Sequence, residues 1–73
     1  MSMATKEQMD IVWKVYEMYR GRKYAQQDIA IELNISVGII GKITRALDFH
    51  YTKDYSPGIR VLLNANDFGE CFE

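Results

Sequence analysis

The chain contains little of several residue types that would indicate particular kinds of protein. Its 73 residues include one cysteine, one proline and one histidine. A lone Cys71 excludes an intrachain disulfide and argues against a disulfide-stabilised secreted scaffold. With His50 as the only histidine, the sequence also lacks the three or four clustered ligands that a metal site requires. We therefore expect neither a metal centre nor a cofactor.

Long apolar runs are also missing. No run approaches the roughly 18 residues that a transmembrane helix needs, and the N-terminus has no charged-then-apolar signal region. Hydrophobic residues make up 48% and charged residues 26% of the chain, which is ordinary for a globular protein. We expect a single cytoplasmic domain with no membrane contact. So short a chain buries only about 60% of the surface that its unfolded form exposes, so almost every large apolar residue is needed.

A catalytic constellation is difficult to assemble from these residues. His50 lies in an alternating aromatic stretch, where a structural role is favoured over a catalytic one. Ser2, Ser36 and Ser56 have no evident base beside them, and Cys71 is the third residue from the end. Nucleophilic catalysis needs a nucleophile and a base within hydrogen-bond reach. The sequence therefore predicts a non-enzyme with no small-molecule substrate.

A first helix is predicted near residues 6–20. Thr5, followed three residues later by Gln8, matches the capping box that opens many helices. Gly21 supplies the usual stop signal, and Arg20 just before it suits the negative C-terminal end of the helix dipole.

Apolar side chains on this predicted helix form two adjacent stripes. One stripe is suited to packing on the rest of the domain, and the second contains Met9, Trp13 and Tyr16. Together they span more than the 100° or so that a surface helix normally buries. Either the C-terminal third of the chain folds back on the second stripe, or a partner protein covers it, because Trp and Tyr are favoured interface anchors.

Two further helices are predicted at residues 26–33 and 37–47. Apolar residues recur at helical spacing in both segments, and Asn34, Ile35 and Ser36 interrupt them. Asn34 occupies the turn, where positive φ is usually needed and Asn tolerates it best after Gly. Ile35 is expected to fill the core beneath the turn. Ser36 is placed to cap the following helix through its hydroxyl.

Over residues 24–45 this pattern resembles the helix-turn-helix family of DNA-binding and transcription-regulating domains. The match combines the small residue Ala30, the turn, an apolar residue after it and apolar positions in register. Ala25 stands where the family usually has a Ser or Thr cap, and Asn34 replaces the usual Gly. The resemblance implies a mainly α, three-helix domain over residues 1–63.

Residues 48–63 are predicted to form either a two-stranded wing or a short helix. Aromatic and polar residues alternate from 48 to 52, and a Ser-Pro-Gly turn follows at 56–58. This resembles the wing of winged helix-turn-helix domains, with Lys53 near its tip. Residues 64–73 are polar and acidic, and we expect them to form a flexible acidic tail.

The distribution of charge matters more than its sum of −1. Residues 64–73 contain three acidic residues and no Lys or Arg, a local charge of −3. The remaining residues, 1–63, hold nine basic and seven acidic residues, a charge of +2. A mildly basic domain with an acidic end permits DNA binding without requiring it.

The outward face of the helix predicted at 37–47 has few groups that read bases. Recognition of bases relies on forked side chains such as Arg on guanine and Asn or Gln on adenine, and residues 37–41 include none. Interior glycines cost roughly 1 kcal/mol each relative to Ala, so we expect another backbone, of DNA or protein, to approach this face. If duplex DNA is the partner, the expected contact residues are Arg22, Lys23, Gly38, Gly41, Lys42, Arg45 and Lys53.

Size, fold and surface character together resemble the short bacteriophage-encoded proteins that bind host RNA polymerase. The resemblance implies a transcription regulator that acts by protein-protein contact in the bacterial host cytoplasm, inhibiting or redirecting transcription. Its expected partner-binding residues are Trp13, Tyr16, Arg20, Arg22, Lys23, Val37 and Ile39.

A further alternative comes from the Gly-x-x-Gly pattern of residues 38–41. It is similar to the loop that joins two helices in KH domains, which bind single-stranded nucleic acid. Two isoleucines between the glycines suit such a solvent-facing loop poorly.

Overall fold

The computed structural model describes residues 2–21, 24–51 and 61–73. These residues form a mainly helical, three-helix domain, as the sequence predicts. The α-helices are α1 (Lys6–Tyr16), α2 (Gln26–Leu33) and α3 (Val37–His50). A π-helical turn, Glu17–Gly21, continues α1, and two short 3-10 turns, Ala65–Asp67 and Gly69–Phe72, follow α3. No helix among the described residues has both the length and the apolar character needed to cross a membrane.

The start of α1 is fixed by the predicted capping box. The Thr5 hydroxyl oxygen accepts a hydrogen bond from the Gln8 N–H at 3.1 Å, and the Thr5 N–H donates to the Gln8 side-chain oxygen at 2.9 Å. Two of the amides that a helix leaves unpaired at its start are thereby satisfied. The predicted helix over 6–20 is α-helical only to Tyr16, and its last turn widens to π geometry.

The turn between α2 and α3 matches its prediction residue by residue. Asn34 adopts the left-handed conformation, with φ 55° and ψ 47°. The Ile35 N–H then donates to the Ala30 carbonyl at 3.0 Å, and the Ser36 hydroxyl accepts from the Gly38 N–H at 3.1 Å. Ala25 begins α2 without a side-chain cap. The geometry of this turn between α2 and α3 is thus encoded by neighbouring residues.

The core lies where the three helices meet. Each helix contributes side chains that are shielded from water, and Phe68 adds a large ring from the C-terminal residues. Burying an aliphatic or aromatic side chain of this size stabilises the fold by about 1.5–3 kcal/mol. The fully buried apolar residues are Val12, Val15, Ile29, Ile40, Ile43, Leu47 and Phe68.

The prediction of a flexible acidic tail over 64–73 is wrong. Phe68 is fully buried and stacks on Tyr51, with ring centroids 6.0 Å apart and planes 8° from parallel. The Ala4 N–H donates to the Ala65 carbonyl at 3.1 Å, so this segment also contacts the N-terminal residues. We call residues 64–73 the C-terminal segment. Its acidic composition obscured the apolar side chains that so short a chain needs in its core.

The prediction of a wing beginning at residue 48 also needs correction. Helix α3 continues beyond 47 to His50, and the Tyr51 N–H still donates to the Leu47 carbonyl at 3.0 Å. Alternating aromatic residues suggested a strand, but the helical hydrogen bonds persist. Residues 61–63 form neither helix nor strand, and the described part of the chain contains no β-strand. The rest of the predicted wing, residues 52–60 with Lys53, lies outside the described residues.

Candidate interaction surface

One side of α3 points away from the core. Four residues on this side are spaced four, three and four positions apart along the sequence, which places them on a single helical stripe. All are exposed, and the Phe49 side chain is 83% exposed. We call this stripe the outer face of α3; it consists of Gly38, Lys42, Arg45 and Phe49.

The glycines of α3 have different surroundings. A Cβ on Gly41 would lie 3.4 Å from the side-chain oxygen of Gln26, and the Gln26 amide donates to the Thr44 hydroxyl at 3.1 Å. Gly41 therefore lies on the side of α3 that faces α2, where a Cβ would make an ordinary van der Waals contact. Gly38 is exposed, and a Cβ there would meet only the Ser36 hydroxyl oxygen, at 3.4 Å. Both glycines lie inside a helix, so the KH alternative loses the interhelical loop on which it depends.

The apolar residues beside the outer face differ in exposure. Val37, at the start of α3, is 48% exposed. Ile39 is half-buried and packs against the core. Of the two residues predicted to contact a partner here, Val37 is the more accessible.

The two cations of the outer face interact with main-chain carbonyls. The Lys42 ammonium donates to the Glu73 carbonyl at 3.2 Å, and the Arg45 Nε–H donates to the Gly41 carbonyl at 3.4 Å. Both side chains are exposed. Such contacts leave most of each cation's hydrogen-bonding capacity open, because Lys has three donors and Arg has five.

The C-terminal segment flanks the outer face and forms an open groove of about 470 Å³ with it. The side of the groove formed by α3 carries both cations and an aromatic ring, whereas the other side carries two carboxylates and a thiol. Cys71 is buried in this wall, and burial raises the pKa of its thiol although nearby Lys42 opposes the shift. The lining residues are Lys42, Arg45, Ala46, Phe49, His50, Asp67, Glu70 and Cys71.

A polar cluster joins the end of α3 to the C-terminal segment. The Tyr51 hydroxyl donates to an Asp67 carboxylate oxygen at 2.7 Å and accepts from the Asn64 N–H at 2.7 Å. Burial raises the pKa of Tyr51, the Asn64 N–H lowers it, and Asp67 raises it again. His50 Nδ1 lies 3.7 Å from the other Asp67 oxygen. The cluster fixes Asp67 beside the groove.

Arg20 was expected at a partner interface, but the structure places it in the interior. Its side chain is 2% exposed and lies 3.8 Å from an Asp48 carboxylate oxygen. It donates to the carbonyls of Leu47 and Tyr51 at 3.5 and 3.4 Å, and its guanidinium carbon is 5.6 Å from the Tyr16 ring centre. A cation at the C-terminal end of α3 complements the helix dipole there. The sequence could not reveal this role because α3 extends further than its apolar pattern indicated.

The other predicted contact residues are distributed over two regions. Trp13 and Tyr16 are half-buried on α1, with their rings edge to face and centroids 5.7 Å apart. Tyr16 packs against the core as well. Arg22 and Lys23 lie outside the described residues. The structure therefore groups Lys42 and Arg45 with Phe49, a residue whose alternating aromatic surroundings had indicated a wing instead of a helix.

No protein-family model, curated protein or solved structure matches the chain. Within the ranges that the structure describes, no three His, Cys, Asp or Glu side chains form a cluster able to hold a metal ion.

Proposed function

We propose that this chain is a helix-turn-helix transcription regulator that acts by protein-protein contact, with RNA polymerase as its partner. The supporting observation is the outer face of α3, where the 83% exposed Phe49 lies in line with Lys42 and Arg45. A lone exposed apolar side chain is ordinary, so the support comes from the combination of this ring with two cations on one helical stripe. An aromatic ring beside an arginine is the composition that protein interfaces favour.

The chemistry of this face suits a protein better than a base pair. Gly38 offers no side chain, and Lys42 is a point charge without the forked geometry that distinguishes guanine. Arg45 is the one residue of the outer face with a planar, forked donor group. Carboxylates of Asp67 and Glu70 also line the adjacent groove, where they would repel the phosphates of a duplex. A protein surface can present acidic and apolar groups to the α3 side of the groove and basic groups to the other side.

The partner's identity is supported by the resemblance drawn from the sequence. Helix-turn-helix domains are typical of transcription regulation, and short phage-encoded regulators bind host RNA polymerase. Under this proposal the protein acts in the bacterial host cytoplasm and inhibits or redirects transcription. Val37, at the exposed start of α3, extends the apolar contact area, and Trp13 and Tyr16 on α1 offer a second one.

Binding to purified RNA polymerase tests this proposal directly. Phe49→Ser should weaken binding at least tenfold, because burying such a ring contributes about 1.5–3 kcal/mol and a factor of ten corresponds to about 1.4 kcal/mol. Ile31→Ser is the matched control, since Ile31 on α2 is 79% exposed and lies away from the outer face. Wild-type protein that does not bind polymerase would refute the proposal. An equal loss of affinity in both variants would show that the outer face is not the polymerase-binding surface.

Duplex DNA is the second candidate, favoured by the exposure of Lys42 and Arg45 on the helix that corresponds to the recognition helix of this fold. Under it, Gly38 would allow a close backbone approach, and Arg22, Lys23 and Lys53 would supply phosphate contacts. Steep loss of affinity with salt would identify this mode.

A further inference from the structure

The C-terminal segment brings fixed negative charge to the edge of the outer face of α3. It contains Asp67, Glu70 and Glu73 and no basic residue. Asp67 and Glu70 line the same groove as Lys42 and Arg45, and the Lys42 ammonium donates to the Glu73 carbonyl at 3.2 Å. The cations that would meet DNA phosphates therefore lie beside carboxylates of the same chain.

Apolar packing, rather than this polar contact, holds the segment in place. Phe68 is fully buried, and Cys71 is also buried in the core. Gly69 lies so close to the N-terminal residues that a Cβ there would fall 1.8 Å from the Ser2 carbonyl oxygen. The backbone that carries these carboxylates is consequently held in place, unlike that of a mobile tail that a ligand could push aside at little cost.

We infer that α3 carries a latent duplex-DNA-binding site that the acidic C-terminal segment keeps closed. A duplex whose groove received the outer face would place phosphates along both flanks of α3. On the flank of the C-terminal segment those phosphates would meet the exposed Glu70, whereas the Glu73 carboxylate accepts a hydrogen bond from the Ser2 hydroxyl. Withdrawal of the segment removes that repulsion and frees Lys42, leaving two cations on a face that fits the major groove.

This inference concerns the same face as the proposed function but a different ligand, so the two are measured separately. The probe is a mixed-sequence DNA duplex of about two helical turns, followed by fluorescence anisotropy at about 50 mM salt. Glu70→Lys reverses an exposed charge beside the outer face. Glu17→Lys makes the same change at an exposed position on the π-helical turn after α1. Glu70→Lys should bind the duplex about tenfold more tightly than wild type and Glu17→Lys much less so.

A charge-neutral variant separates displacement of the segment from the added positive charge. Cys71→Gln places a longer polar side chain in a buried site and should release residues 69–73 from α3, which the amide chemical shifts of those residues would show. DNA affinity should again rise about tenfold, and adding Lys42→Ala should remove most of the gain. Perturbed amide signals on DNA addition should map to residues 37–49.

Several results would overturn the inference. Equal gains for Glu70→Lys and Glu17→Lys would show only a general effect of charge. If no variant binds the duplex, α3 carries no latent DNA-binding site. If wild type binds the duplex as tightly as Cys71→Gln with its segment released, the C-terminal segment does not block DNA binding. If Cys71→Gln fails to fold by circular dichroism, the comparison between the two lysine variants decides alone. None of these results bears on polymerase binding by the wild-type protein.

Discussion

The Arg20 guanidinium donates to the Leu47 carbonyl at 3.5 Å, so the end of the first helical segment caps the last turn of α3. This contact joins residues 27 positions apart in the sequence. The same guanidinium lies beside Asp48 and over the Tyr16 ring. The Arg20 side chain thus links the π-helical turn after α1 to the C-terminal end of α3 through polar contacts.

Arg20→Met should lower the free energy of unfolding by about 2 kcal/mol. Methionine retains much of the apolar stem but loses the charged hydrogen bonds, each of which typically contributes about 1.5–3 kcal/mol. Arg45→Met is the matched control, because Arg45 is exposed and its loss should change stability by less than about 0.5 kcal/mol. Urea denaturation followed by circular dichroism would compare the two, and similar losses would contradict the structural role of Arg20.

Phe68→Ala should destabilise the domain by about 3–5 kcal/mol, since it removes a fully buried ring and leaves a cavity beside Tyr51. Phe49→Ala removes the same side chain from an exposed position and should change stability by less than about 0.5 kcal/mol. Thermal unfolding would rank these variants. A Phe68→Ala domain as stable as Phe49→Ala would mean that the C-terminal segment is not part of the core.

Gly69→Ala should separate the C-terminal segment from the N-terminal residues, because the new Cβ would collide with the Ser2 carbonyl at 1.8 Å. The sensitive observable is hydrogen exchange at the Ala4 amide, which donates to the Ala65 carbonyl and should lose its protection. Gly38→Ala provides the comparison. Its Cβ meets only ordinary contact at 3.4 Å, so it should preserve that protection and raise helix stability by up to about 1 kcal/mol.

Tyr51 should deprotonate at a higher pH in the folded protein than in the unfolded chain. Burial is the first cause of its raised pKa, and Asp67 adds to it. A raised pKa means that folding favours the neutral phenol, so this contribution to stability is fully present below the ordinary value of 10.0 and is lost as the pH rises through the folded pKa. Phenolate absorbance of wild type compared with Tyr51→Phe should show one group that titrates late. Its absence would contradict the cluster with Asp67.

The helices α2 and α3 and the turn between them could be predicted from the sequence because their determinants are local. Asn34 sits in a turn that only a few residue types tolerate, and Ser36 and Thr5 cap helices whose amides lie within three residues of them. Each of these interactions is decided by residues near one another in the chain. The same locality explains why the helix starts were predicted more accurately than the end of α3.

The role of the C-terminal segment could not be predicted in this way. Phe68 stacks on Tyr51, 17 positions earlier, and Ala65 contacts Ala4 at the far end of the chain. No periodic sequence pattern predicts such long-range contacts, and the acidic composition of the segment predicted that it would be exposed to solvent. The groove beside Phe49 was missed for the same reason, because it exists only where α3 and this segment meet.

The pairing of Ala4 with Ala65 also has a consequence for how the molecule is made. Contacts between distant parts of a chain form late, because a long loop must close before they are gained. A nascent chain that has emerged only as far as Tyr51 holds every residue of its three α-helices but lacks the Phe68 ring and the Ala65 carbonyl that Tyr51 and Ala4 contact. Until residues 64–73 have followed, the core lacks Phe68, and the carboxylates of Asp67 and Glu70 are not yet beside the outer face of α3.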